Sequence, residues 1–84
     1  MKHIDNAVQY VQENVDCKEL ESAVKQMAER REPLYSVNPK LCDTIYDLME
    51  EYGADNNLPE GWWLNDMDEE DVLFRITRND NVNN

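Results

Sequence analysis

Apolar residues recur at helical spacing in three successive blocks, and this periodicity does most to narrow what the chain can fold into. Leu41, Ile45, Leu48, Met49 and Tyr52 form the cleanest stripe. Asn38 and Pro39 stand just ahead of it, a capping residue followed by a first-turn proline. Gly53 follows it, at the place where a left-handed residue closes a helix. A helix is therefore predicted over residues 39–52. Upstream, Ile4, Ala7, Val8, Val11 and Val15 predict a helix over residues 3–15. Its valines lower helix propensity, so packing has to hold it. Leu20, Ala23, Val24, Met27 and Ala28 predict another over residues 17–31. Asp16 is its expected N-cap, with Glu19 as capping-box partner. Arg30 and Arg31 complement the dipole of its last turn, and Pro33 ends it. Residues 32–37 read as a loop, with Leu34 and Tyr35 pinned to the core.

The C-terminal third is less regular. Leu58 to Leu64 form an apolar knot around Trp62 and Trp63, and acidic residues 66–71 follow. Val72, Phe74 and Ile76 alternate as in a strand. Acids ahead of them, Arg75 and Arg78 behind, and the Asp71–Arg75 spacing suit a helix instead. The chain offers no second strand, and a lone strand leaves its backbone unpaired. A helix over residues 66–78 is therefore favoured. A strand there would need a second copy paired across a two-fold axis. Residues 79–84 read as a disordered polar tail. With 84 residues there is room for one small domain. The expected fold is mostly α: a single domain over residues 1–78, a bundle of three helices plus a short C-terminal element.

Charge is distributed unevenly. The formal net charge is −11, yet residues 1–42 hold seven acids and six bases. Residues 43–71 hold eleven carboxylates and not one Lys or Arg. Asp43, Asp47 and Glu51 stand four apart on the third predicted helix, and such like-charge pairs cost about 0.2–0.5 kcal/mol each. An acidic surface disfavours direct contact with nucleic acid or anionic lipid. It favours a protein partner with a basic surface, whose encounter it would speed. The candidate docking residues are Asp43, Asp47, Glu50, Glu51, Asp55, Glu60, Asp66, Asp68, Glu69 and Glu70. Trp62 and Trp63 are the candidate aromatic anchors. Adjacent residues of an extended chain point to opposite sides, so one Trp is expected in the core and the other at least partly exposed. Tyr10 and Tyr46 lie off their stripes, a hint of self-association, so a homodimer is a further option. Two alternatives compete with docking. The carboxylates could imitate DNA phosphates, which carry one charge per about 1.7 Å of duplex axis, and so inhibit a nucleic-acid-binding protein. Or they could serve solubility alone.

Catalytic and metal chemistry find little support. His3 is the one histidine, close to the N-terminus and expected to be mobile; Ser22 and Ser36 sit in no nucleophile elbow. Gly53 and Gly61 are the only glycines, so no glycine-rich phosphate loop is possible. A pocket of about 300–1,000 Å³ is hard to enclose in so small a domain. A non-catalytic chain without cofactor is expected. Residues 66–71 alternate acids as a calcium loop does, but Asp71 replaces the required glycine and Thr77 the closing Glu. Cys17 and Cys42 lie at apolar helical positions and read as small buried hydrophobes, with no CxxC to suggest a metal. An N-terminus without an apolar stretch, and reduced cysteines, carry the expectation of a cytoplasmic protein. No segment reaches the roughly 18 apolar residues of a membrane span. Nothing matches a helix-turn-helix repressor, an EF-hand, a zinc finger or an acyl carrier.

Overall fold

The computed structural model describes residues 2–82, with side chains for residues 3–78. Five helices follow one another: α1 (Lys2–Asn14), α2 (Cys17–Arg30), the short α3 (Leu34–Val37), α4 (Pro39–Asp55) and α5 (Glu69–Val82). No strand occurs among the described residues. The three predicted helices are present within a residue or three of their expected ends, and the mostly α single-domain bundle is the observed fold.

Local chemistry explains most boundaries. Asp16 accepts a hydrogen bond from the Lys18 amide at 3.0 Å and caps α2. Glu19 does not complete a capping box; its carboxylate receives the Asn38 side-chain amide instead. Asn38 caps α4 through the Leu41 amide at 3.1 Å, with Pro39 in the first turn. At the end of α2, Arg31 takes the left-handed conformation (φ 55°), and the Glu32 amide reaches back to the Met27 carbonyl.

Helix α4 runs past Gly53, which was expected to close it. The closing left-handed residue is Asn57 (φ 60°). The Leu58 amide bonds to the Gly53 carbonyl and the Asn57 amide to the Ala54 carbonyl, the paired bonds of a Schellman motif. Gly53 has a different task. A Cβ there would stand 2.5 Å from Cδ1 and Nε1 of the Trp62 indole, so glycine is what lets that ring lie on α4.

The C-terminal element is a full helix. Its buried residues are Val72, Leu73 and Ile76, a helical spacing, while Phe74 is exposed. A strand would have buried Phe74 and exposed Leu73. The helix begins at Glu69 rather than Asp66. Asp68 and Asp71 cap it reciprocally: the Asp71 amide donates to the Asp68 carboxylate at 2.9 Å, and the Asp68 amide to the Asp71 carboxylate at 3.1 Å. Arg75 pairs with Asp5 of α1 rather than with Asp71. The backbone stays helical through Val82, beyond the residue-78 boundary of the predicted tail, while residues 83–84 lie outside the described residues.

One core unites these elements. Helix α1 contributes Ile4, Ala7, Val8 and Val11, α2 contributes Leu20, Ala23 and Met27, and α4 contributes Leu41, Ile45 and Met49. Leu34, Trp63 and the α5 residues complete it. Helix α4 packs against α1, α3 and α5, and α5 also meets α1 and α2. Leu34 is pinned to this core as expected, but Tyr35 is 69% exposed, because the short α3 turns it outward. Cys17 is also exposed, as the first residue of α2, whereas Cys42 is half-buried.

Gly53→Ala should destabilise the fold although alanine is the better helix former by about 1 kcal/mol. We expect a net loss of about 1–3 kcal/mol from overpacking against Trp62, with a red-shifted tryptophan emission, in urea unfolding followed by fluorescence.

Candidate functional site

The twelve sequence candidates lie on α4, on the turns after it, and at the start of α5. They do not share one role. Asp43, Asp47, Asp55, Glu60 and Asp66 are exposed. Glu50, expected on the outward face of α4, is half-buried and structural. Its two carboxylate oxygens receive the Gly61 amide at 3.1 and 3.0 Å, and one also receives the Trp63 indole Nε1–H at 2.8 Å. Gly61 has φ 74°, a conformation that favours glycine, and this aims its amide at Glu50. Glu70 is half-buried and accepts the Leu34 amide at 3.0 Å, the start of α3. Asp68 is committed to the α5 cap. Glu51 receives the Tyr10 hydroxyl.

The two tryptophans divide as the alternation rule expects, but neither is a free anchor. Trp63 is fully buried. Trp62 is half-buried, donates its Nε1–H to the Met49 carbonyl at 3.1 Å, and packs 5.8 Å from the Tyr52 ring. His3, expected to be mobile, joins that cluster: its Nδ1 lies 2.9 Å from the Tyr52 hydroxyl and its ring 6.3 Å from Trp62. Tyr46 packs on Trp63 at 5.8 Å. The large apolar side chain this loop does expose is Leu64, at 43%. It was not singled out in the sequence, where it reads as one more member of the apolar knot.

Electrostatics sort the acids into two groups. Tyr46 has its pKa raised by desolvation and then by Glu50, Glu60, Glu69 and Asp47. The neighbouring Cys42 thiol is pushed up to about 11, first by burial and then by Glu69, Asp43, Glu70 and Asp68. The charges of carboxylates from α4, from the Trp loop and from the start of α5 thus act together on Cys42 and Tyr46 of α4. Glu51 and Asp55 act instead on Tyr10 of α1. They raise the pKa of Tyr10, chiefly through its hydrogen bond to Glu51 and then through burial and both charges. A raised thiol pKa keeps Cys42 protonated and a poor nucleophile at neutral pH.

No group of three or more His, Cys, Asp or Glu side chains among the described residues could hold a metal ion. No helix among them is long and apolar enough to cross a membrane. Comparison with family models, curated proteins and solved structures finds no match to this chain.

Glu50→Gln leaves one acceptor oxygen where three N–H contacts converge. A loss of about 1–3 kcal/mol of stability is expected, against less than about 0.5 kcal/mol for Asp47→Asn on the exposed face, both read by chemical denaturation.

Proposed function

We propose that the chain is a non-catalytic protein–protein interaction module that docks a basic partner surface. Its contact face is the strip of α4 around Tyr46. The charges of Asp47 of α4, Glu60 of the turn and Glu69 of α5 act on Tyr46, and those of Asp43 and Glu69 act on Cys42 one turn before it. The observation that carries this reading is the convergence of acids from three chain segments on Tyr46 and Cys42, in a stretch without one Lys or Arg. Like charges gathered this way repel one another, and a basic partner relieves that repulsion. Leu64, in the same turn segment of the chain as Glu60, is an exposed apolar side chain. Glu50, Glu70 and Asp68 serve the fold through their hydrogen bonds rather than as contacts, and Glu51 is engaged by Tyr10. Trp62 and Trp63 likewise support the loop that carries Glu60.

The test uses wild type and a variant carrying Asp43→Lys, Asp47→Lys and Glu60→Lys, all at exposed positions. Wild type should retain a basic protein from a cell lysate and release it as salt rises, and the variant should retain none of it while keeping its helical circular dichroism. Equal capture by the two proteins would contradict the proposal. If wild type also displaces DNA from the captured partner, phosphate imitation becomes the specific form of the docking.

A further inference from the structure

We draw no further inference here: the strongest candidate, the groove between α2 and α5 lined by Val24, Met27, Ala28 and Phe74, has an edge of mixed charge, and nothing in the structure shows what covers it.

Discussion

The carboxylate of Glu50 is the interaction on which the C-terminal half of the fold depends. It gathers the Gly61 amide and the Trp63 indole N–H, two groups that α4 itself cannot satisfy. A turn with little regular structure is thereby fixed against α4, and its largest side chain is driven into the core. The Asp66 and Met67 amides then fold back on the Trp63 carbonyl, which carries the chain to the Asp68–Asp71 cap and starts α5. Hydrogen bonds to a charged group are stronger than neutral ones, and a half-buried carboxylate without its donors would be costly. One acid of the α4 row thus serves to position half of the molecule.

Trp62 works from the other side of the same turn. Its ring lies where a Cβ of residue 53 would be, and its indole nitrogen reaches the Met49 carbonyl. Tyr52 and His3 close over it, which ties the first turn of α1 to α4. The Arg75–Asp5 pair ties α5 to α1 in turn. Both elements at the ends of the described chain are thus fastened by polar contacts laid over the common core. Exposed pairs of this kind contribute little stability singly, and the buried apolar side chains contribute the larger share.

How much of this was legible in the sequence follows from the range of each interaction. Asn38–Pro39, Asp16 and the apolar stripes of α1, α2 and α4 act within a few residues, and they appear where the periodicity puts them. The Val72–Ile76 segment is ambiguous because apolar side chains occupy both its period-2 and its helical positions. The burial of Leu73 decides it, and burial depends on α1, α2 and α4. Gly53 looks like a C-cap from its neighbours alone; only the Trp62 ring, nine residues on, explains it. Glu50 and Glu70 are indistinguishable from their acidic neighbours by composition. Their donors stand 11 to 36 residues away, beyond any local pattern. The run of carboxylates was legible in the sequence, and the division of its members between fold-holding and exposed positions was not.

The role of Glu50 is tested most directly by hydrogen exchange measured by nuclear magnetic resonance on the intact chain. If Glu50 holds the turn, the Trp63 indole N–H and the Gly61 amide exchange only with global unfolding, at the rate of core amides such as Ile45 and Leu73. If both protons exchange by local opening while those core amides stay protected, the turn is not held by Glu50 and the account fails at its centre.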